Sequence, residues 1–322
     1  MSMLKVLAAV LVGAASAHGA AATRPAAKVW LKEDDAPADY RYQGEYEGTV
    51  GRQKWGAQVV ALGDGRFKAV LLAGGLPGAG HDGKTRREIP GQLAGAKAVF
   101  DAEGWTLNIA DGKLAGKTDA GEEIAMNRVV RTSPTLGAKP PPGAIVLFDG
   151  TNLNEWKPGA KMDDRGLLAV GAFTKQDFTD FTLHLEFILP FMPASGSQGR
   201  ANSGVYIQNR YEIQILDSFG LVPSSGDCGA IYRQVAPAVN MCLPPLQWQT
   251  YDIDFTAPRW QDGRKIANAR VTVRHNGVVI HDNREIATKT GAGKPEAPEP
   301  GPIQLQNHGN PVFFRNVWIV PK

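Results

Sequence analysis

Residues Asn202–Asp217, NSGVYIQNRYEIQILD, contain the pattern that decides the fold. Aliphatic side chains recur at every second position in two short runs of this stretch: Val205, Ile207, Ile213 and Ile215. Because successive side chains of a strand point to opposite faces, each run predicts a strand with one aliphatic face. The runs lie close together in the chain, so they predict a β-hairpin that packs this face on a hydrophobic core.

The opposite face of this hairpin carries large hydrogen-bonding side chains: Tyr206, Gln208, Glu212 and Gln214. A solvated face would more often carry Lys, Thr and Ser. A carboxylate surrounded by amides and a phenol is typical of a surface that holds a polyhydroxylated ligand, with Glu212 at its centre. The alternative is an amphipathic hairpin whose polar face has no ligand.

The aliphatic pattern also predicts a register for the hairpin. If Ile207 and Ile213 are cross-strand partners, Gln208 lies opposite Glu212. The connecting loop is then three residues long, Asn209–Tyr211.

The rest of the chain predicts an all-β protein, because no helix-length stretch shows a 3.6-residue apolar period. Asp64-Gly65, Asp111-Gly112 and Asn276-Gly277 are typical of tight hairpin turns. Candidate strands of the C-terminal part are Phe181–Leu189, Ser203–Gln208, Tyr211–Leu216, Thr250–Thr256, Ala269–Arg274, Val278–His281, Ile303–Gln306 and Phe313–Val320.

Changes in composition along the chain predict five segments. The run SPTLGAKPPPG is rich in proline and indicates a stiff, extended linker between two β-domains. The segments are a signal peptide with lead-in (1–22), an N-terminal linker (23–39), a small antiparallel β-domain of unknown role, barrel or sandwich (40–131), the Pro-rich linker (132–143) and a two-sheet antiparallel sandwich (144–322).

The N-terminus has the form of an export signal. Lys5 supplies a positive charge, Val6–Ala15 a short apolar region, and Ala15-Ser16-Ala17 a cleavage site of A-x-A type. This pattern predicts a periplasmic or extracellular protein, and the apolar run is too short to span a bilayer. The alternative is an N-terminus that is merely rich in alanine.

The bulk composition excludes several function classes. Of the 322 residues, 43% are hydrophobic and 21% charged, which is ordinary for a globular protein and excludes a disordered chain. The 35 basic residues nearly balance the 32 acidic ones, so we expect neither a nucleic-acid partner nor an anionic membrane surface.

Gly78–Thr85 matches the phosphate-loop pattern G-x-x-x-x-G-K-[ST] but does not predict nucleotide binding. A phosphate loop needs a helix that starts at the lysine, because the helix N-terminus supplies the amides that hold phosphate. Pro90-Gly91 follows within two turns, and the surroundings read as antiparallel strands. This stretch is interpreted as a glycine-rich loop.

Cys228 and Cys242 are the only cysteines of the chain. In an oxidising compartment they could form a disulfide, which would contribute about 3 kcal/mol for a loop of this size. Two free thiols are the alternative, because the sequence does not place their Cα atoms. A zinc site would need further Cys or His nearby.

Seven segments, in this order, resemble the 3-keto-disaccharide hydrolase family, also described as 3-keto-glucoside lyase and 3-keto-2-hydroxyglucal hydratase. They are IVLFDGTNLNEW (Ile145–Trp156), DFTLHLEF (Asp180–Phe187), NSGVYIQNRYEIQILDS (Asn202–Ser218), GAIY (Gly229–Tyr232), WQTYDIDFTAPR (Trp248–Arg259), VTVRHNGVVIHDN (Val271–Asn283) and GPIQLQNHGNPVFFRNVWI (Gly301–Ile319). The resemblance implies a concanavalin A-like jelly roll and a reaction in which a C2 proton is removed, the C1 substituent leaves and water adds back.

That chemistry selects candidate residues. Glu212 is the best-placed carboxylate, and His308 the best second proton carrier, because an imidazole titrates near neutrality. The substrate-binding candidates are Asn202, Tyr206, Gln208, Gln214, Tyr232, Trp248, Gln306 and Glu186. For several of these a structural role is the alternative: a turn cap for Asn202, a loop histidine for His308, core or rim aromatics for Tyr232 and Trp248, and a place outside the cleft for Glu186.

The resemblance implies a small-molecule sugar substrate, a 3-keto-glucoside. No cofactor motif is present, so we expect no cofactor and expect a separate sugar 3-dehydrogenase to carry out the oxidation. The long Pro/Gly loop Leu189–Gly199 is expected at the cleft rim, where it would affect which aglycone fits. The alternatives to the enzyme are a non-catalytic, lectin-like glycan-binding module and a conventional glycoside hydrolase. The second is disfavoured because the chain has no E-x-D-x-x-E-like strand.

Overall fold

The computed structural model describes residues 28–322, which form β-strands and two short 3₁₀ segments, Ala38–Arg41 and Ser197–Gly199. The all-β prediction is confirmed. The predicted signal peptide lies outside the described residues. No helix within 28–322 has the length and apolar character needed to cross a membrane.

The first eight strands form a closed antiparallel barrel in which each strand pairs with the next and β1 pairs with β8. They are β1 Gly44–Val50, β2 Gln53–Gly63, β3 Arg66–Ala73, β4 Arg86–Ala94, β5 Lys97–Ala102, β6 Trp105–Ala110, β7 Lys113–Lys117 and β8 Glu123–Val129. An eight-stranded barrel is just wide enough to be filled by side chains. Tyr46, Phe67 and Phe100 belong to the cluster that fills this one.

The glycine-rich loop Gly78–Thr85 leads into strand β4. A helix N-terminus at this point would be needed to hold phosphate, and the chain forms a strand instead. The structure therefore agrees with the interpretation of this stretch as a loop.

The C-terminal strands form two facing sheets of a β-sandwich, together with a short ribbon of β16 and β17. They are β9 Ile145–Phe148, β10 Leu168–Ala169, β11 Ala172–Phe173, β12 Phe181–Ile188, β13 Ser203–Ile207, β14 Tyr211–Ile215, β15 Trp248–Thr256, β16 Arg259–Gln261, β17 Arg264–Ala267, β18 Ala269–His275, β19 Val278–Ile286, β20 Gln304–Leu305 and β21 Phe313–Pro321. The large sheet has the order β10-β21-β12-β15-β18-β19 with β9 on β21, and the small sheet the order β11-β20-β13-β14.

The aliphatic faces of the two sheets enclose the main hydrophobic core. Leu183 and Leu185 of β12, Ile253 of β15, and Val205 and Ile213 of the hairpin all belong to one buried cluster. Each sheet therefore has a second face that points away from this core. These two outer faces carry the polar residues discussed below.

Arg200 of the sandwich, which forms a buried ion pair with Asp217, also binds the barrel. Arg200 donates through Nε to Asp217 at 2.6 Å and through Nη1 to the Ala61 carbonyl of the barrel at 3.4 Å. Phe191, from the loop after β12, inserts into the barrel core. These contacts fix the loop Leu189–Gly199 between the two β-domains.

The Pro-rich linker lies against the outer face of the large sheet. Thr135 donates to Asp252 of β15 at 2.8 Å, and the Ala138 carbonyl accepts hydrogen bonds from Asn316 and Trp318 of β21. The sequence predicted a spacer, and the structure shows a segment that is hydrogen-bonded to the sheet. The sequence signal for these contacts is limited to the hydroxyls of Ser133 and Thr135, because the others use the backbone carbonyl of Ala138.

Candidate functional site

The central hairpin has the predicted faces but a different register. Tyr206 pairs with Glu212, and Val205, not Ile207, pairs with Ile213. The predicted pairing was therefore wrong by two residues. A shift of two preserves the faces, because side chains alternate with period two.

The register is set by the turn at residues 208–210. Gln208 and Asn209 both adopt left-handed backbone conformations, with φ of 53° and 54°. Gln208 donates to the Phe178 carbonyl at 2.9 Å and accepts from Arg210 at 3.1 Å. It is a buried turn residue and does not lie beside Glu212 on the polar face, contrary to the prediction.

Glu212 is the centre of the polar face. It is 2% exposed, and the Tyr206 hydroxyl donates to its Oε2 at 2.7 Å. Burial raises the pKa of Glu212 to about 7, against the hydrogen bond from Tyr206, which lowers it. A carboxyl with a pKa near neutrality is suited to transfer protons in either direction.

Two glycines flank the carboxylate of Glu212. A Cβ atom at Gly204 would lie 2.4 Å from Oε1, and one at Gly291 would lie 3.1 Å from Oε2. Gly291 also has a φ of +41°, which disfavours other residues. Within residues 28–322 no donor reaches Oε1, which lies on the Gly204 side of the carboxylate.

Residues 290–301, here called the covering segment, lie over the other side of Glu212. Thr290 accepts the backbone N–H of Glu212 at 2.6 Å. Arg210 anchors the segment by donating to the carbonyls of Pro295 at 3.1 Å and Glu299 at 2.9 Å. The covering segment excludes water from Oε2, which is consistent with the raised pKa of Glu212.

A cluster of amides continues the polar face beyond Gly204. Gln198, from the loop after β12, accepts at Oε1 from Asn202 and from Gln214, both at 3.1 Å. Asn202 Oδ1 and Gln306 Oε1 are buried and have no hydrogen-bond partner within the described residues. Unpartnered buried acceptors are costly, so these two oxygens are suited to receive hydroxyl groups of a ligand.

Tyr232 lies at the edge of the same face. Its backbone N–H donates to the Glu212 carbonyl at 3.1 Å, and its half-buried ring approaches Gly291. Arg233 stacks over this ring, with its guanidinium carbon 5.3 Å from the ring centroid. The structure therefore brings Tyr232 beside Glu212.

His308 lies in an exposed turn after β20. Asn310, in the same loop, accepts the Asn202 N–H at 2.8 Å. This contact places the loop of His308 at the Asn202 end of the polar face. Among the described residues, no hydrogen bond joins His308 to Glu212. The structure places His308 near the amide cluster without fixing its side chain.

Glu186 and Trp248 lie elsewhere, on the outer face of the large sheet, so the core separates them from Glu212. Arg315 donates to Glu186 at 2.7 Å and stacks over Trp248 at 3.9 Å. Burial alone would raise the pKa of Glu186, but hydrogen bonds from His184, Asn316 and Arg315 lower it to about 2. The structure therefore does not bring these two predicted substrate-binding residues to the Glu212 face, because alternation does not reveal which sheet a strand joins.

Cys228 and Cys242 are both buried and free, so the disulfide is not formed in the structure. The Cys228 thiol lies 3.2 Å from the Tyr251 hydroxyl, in the core. Both cysteines are remote from solvent and contribute to packing.

Sequence reasoning missed Gln198, Thr290 and the two flanking glycines. Gly204 had a signal, since a glycine inside a strand often marks a close approach of another group. Gln198 and Thr290 lie in loops with no periodicity, and only the fold brings Gln198 to Asn202 and Gln214 and brings Thr290 to Glu212.

A profile of the 3-keto-alpha-glucoside-1,2-lyase-like domain matches residues 143–320, more than half of the chain. The chain belongs to this family. The lyase-like domain therefore comprises the whole sandwich, whereas the barrel lies outside the matched residues.

Solved structures similar to the lyase-like domain come from Parabacteroides distasonis ATCC 8503. One, a provisionally assigned glycosyl hydrolase, is 36% identical with a TM-score of 0.52, and the match covers 56% of this chain and 85% of that one. Another with the same provisional assignment is 25% identical with a TM-score of 0.39, covering 56% of this chain and 99% of that one. No curated protein matches the chain.

Proposed function

We propose that the protein is an exported carbohydrate-active enzyme that cleaves 3-keto-glucosides, including 3-keto-disaccharides, by elimination and hydration. The observation that carries this proposal is Glu212, a buried carboxyl with a pKa near 7 on an amide-rich face of a lyase-like domain. A carboxylate in this state is a suitable base for a carbon acid of moderate acidity.

The reaction follows from the acidity that a C3 ketone gives to the C2 proton. Oε1 of Glu212 takes this proton, and the C2–H electrons form an enolate with the C3 oxygen. The C1–O bond then breaks, and the aglycone oxygen leaves with a proton. Water adds across the resulting double bond, with hydroxide at C1 and a proton returned to C2, which gives the 3-keto sugar and the free aglycone.

The environment of Glu212 fits this mechanism better than ordinary glycoside hydrolysis. Conventional glycosidases use two carboxyl groups, about 5–9.5 Å apart. The raised pKa of Glu212 is caused by burial, against the hydrogen bond from Tyr206, so this one carboxyl is poised for proton transfer. A single proton-transfer carboxyl is sufficient for elimination followed by hydration.

The other residues of the face have supporting roles in this proposal. Tyr206 orients the carboxyl of Glu212, and the amides of Asn202, Gln214 and Gln306 bind sugar hydroxyls or the enolate oxygen. His308, at the open end, is the proposed donor of the proton to the aglycone oxygen. In this proposal a separate sugar 3-dehydrogenase provides the oxidised substrate.

A non-catalytic glycan-binding module is the second candidate, because Glu212 is only 2% exposed beneath the covering segment. Incubation with a 3-keto-glucoside and with the same unoxidised glucoside separates the two. Release of aglycone from the keto compound alone supports the enzyme. Binding of either sugar without release supports the module, and cleavage of the unoxidised glucoside would indicate a conventional hydrolase.

Export is proposed from the N-terminal sequence pattern. A comparison of the masses of the precursor and the mature protein tests this proposal. After expression in a bacterium with a periplasm, we expect a periplasmic protein that has lost about its first 17–22 residues. An intact N-terminus in the cytoplasmic fraction would contradict export.

A further inference from the structure

A cavity of about 440 Å³ lies where the barrel meets the sandwich. The sandwich contributes Gln198, Leu216 and Asp227 to its wall, and the barrel contributes Leu62 and Lys68. This volume is within the range of small-molecule sites, about 300–1,000 Å³. The mixture of aliphatic walls and a few polar groups is typical of such sites.

The cavity adjoins the amide cluster of the candidate site. Gln198 lines the cavity, and its Oε1 accepts the hydrogen bond from Gln214. Leu216 follows directly after β14, on which Glu212 and Gln214 lie, and it also lines the cavity. The free Oε1 of Glu212 is on the Gly204 side, and Gly204 is the cross-strand partner of Gln214.

We propose that this cavity is the subsite for the leaving group of the 3-keto-glucoside, and that a second sugar residue occupies it. The proposal rests on the proposed function and assigns a role to the barrel, which the family match leaves out. Lys68 and Asp227 offer a donor and an acceptor to hydroxyl groups, and Leu62 and Leu216 offer apolar surface to a sugar ring.

The cavity is held in place before a ligand binds. Arg200 connects Asp217 of the sandwich with the Ala61 carbonyl of the barrel, and both Arg200 and Asp217 line the cavity. Lys68 is positioned by Glu88, with 3.1 Å between Nζ and the carboxylate oxygen. A preformed subsite loses little affinity to ordering of its own residues.

Gly196 offers a way to place a bulky side chain at the wall of the cavity without a clash of its Cβ atom. It lines the cavity, its backbone is extended with φ −147° and ψ 167°, and an added Cβ atom would meet no atom within 4 Å. Gly199 is a matched control, because it is exposed, a Cβ atom there also meets nothing, and it does not line the cavity.

The test compares kcat/KM for a 3-keto-disaccharide with kcat/KM for methyl 3-keto-glucoside, whose leaving group is methanol. Gly196→Phe should lower the ratio of the two constants about tenfold or more, since one blocked ring contact is worth about this factor. Gly199→Phe should keep the wild-type ratio. Lys68→Ala should lower the ratio several-fold, and Lys113→Ala, an exposed lysine on another strand of the barrel, should not.

The outcomes separate the two proposals. If the wild type cleaves both keto substrates but Gly196→Phe and Lys68→Ala keep the wild-type ratio, the subsite is wrong and the proposed function stands. If the wild type cleaves neither, the proposed function fails and the subsite fails with it. If the ratio of the two kcat/KM values changes in Gly196→Phe but not in Lys68→Ala, the barrel lysine does not contribute to the subsite.

Discussion

Glu212 and Glu186 are both buried glutamates of one sandwich, Glu212 on β14 at the end of the small sheet and Glu186 on β12 inside the large sheet, yet their surroundings differ sharply. Glu212 is 2% exposed and has a pKa of about 7, whereas Glu186 is 0% exposed and has a pKa of about 2. Glu186 receives hydrogen bonds from the Gly137 N–H, Asn316 and Arg315. The carboxylate of Glu212 receives one, from Tyr206.

The difference shows how burial and donors together decide the role of a carboxyl. Burial disfavours the ionised form of both groups, and only at Glu186 do several donors, with a nearby histidine and arginine, overcome this effect. A permanently ionised Glu186 holds the linker on the large sheet. Glu212 can gain and lose a proton near neutral pH, which is the property that chemistry needs.

The largest effect is expected for Glu212→Gln, which keeps the shape of the side chain and removes its ionisation. A proton-transfer group contributes about 10²–10⁴-fold in rate, so kcat for a 3-keto-glucoside should fall by this factor while substrate affinity changes little. Glu186→Gln is the matched control and should keep kcat near the wild-type value. A comparable fall in kcat for both variants would erase the distinction between the two glutamates.

Glu212→Gln should also make the protein more stable than the wild type at high pH. The folded pKa of Glu212, about 7, is above its usual value of 4.5, so the wild type loses stability as pH rises through this interval. The loss is up to about 3 kcal/mol. Urea unfolding should therefore show Glu212→Gln more stable relative to wild type at pH 8 than at pH 4, and a pH-independent difference would argue against the raised pKa.

Glu186→Gln should destabilise the fold by about 2 kcal/mol at neutral pH, because it weakens charge-assisted hydrogen bonds. The folded pKa of Glu186 is depressed, so its contribution is fully present above about pH 4.5 and is lost as pH falls towards 2. Denaturant unfolding at several pH values measures this difference. Equal stability of variant and wild type at pH 7 would show that the linker contacts contribute nothing.

Tyr206→Phe should move the pH profile of kcat/KM. The hydrogen bond from Tyr206 lowers the pKa of Glu212, so its removal raises that pKa, and the ionised base appears at higher pH. If the hydrogen bond from Tyr206 contributes about 1 kcal/mol, its removal should shift the pH profile of kcat/KM upwards by about 0.7 pH unit. Tyr46→Phe in the barrel is the control, and a profile that moves to lower pH would contradict the assignment.

His308→Ala is expected to have the smallest effect on activity, about tenfold or less, because the side chain is exposed and unfixed. The loss should be greater for a 3-keto-glucoside with an alkyl aglycone than for one with a nitrophenyl aglycone, which leaves without protonation. Equal losses for both substrates would show that His308 orients the loop and does not protonate the leaving oxygen.

Several features of the fold were accessible from sequence because they depend on local alternation. Predicted strand Phe181–Leu189 lies at β12, Phe181–Ile188, and predicted strand Phe313–Val320 lies at β21, Phe313–Pro321. The aliphatic and polar faces of the central hairpin were also correct. These signals are carried by neighbouring residues and survive an error in register.

The candidate site was less predictable because it is assembled from distant segments. Glu186 has the same alternation as Glu212, and only sheet order shows that it faces the opposite way. Gln198 reaches Gln214 and Thr290 reaches Glu212 from loops, where no period constrains the side chains. The turn at Gln208 was misplaced because non-glycine residues with positive φ are uncommon and leave little trace in the sequence.

The central claim is that Glu212 removes the C2 proton of a 3-keto-glucoside. Single-turnover cleavage of a substrate deuterated at C2, compared with the unlabelled substrate, tests it most directly. The account predicts that deuterium slows the wild-type reaction and that Glu212→Gln reacts about 10²–10⁴-fold more slowly with either substrate. Wild-type cleavage at equal rates for both substrates, with full activity retained in Glu212→Gln, would contradict it.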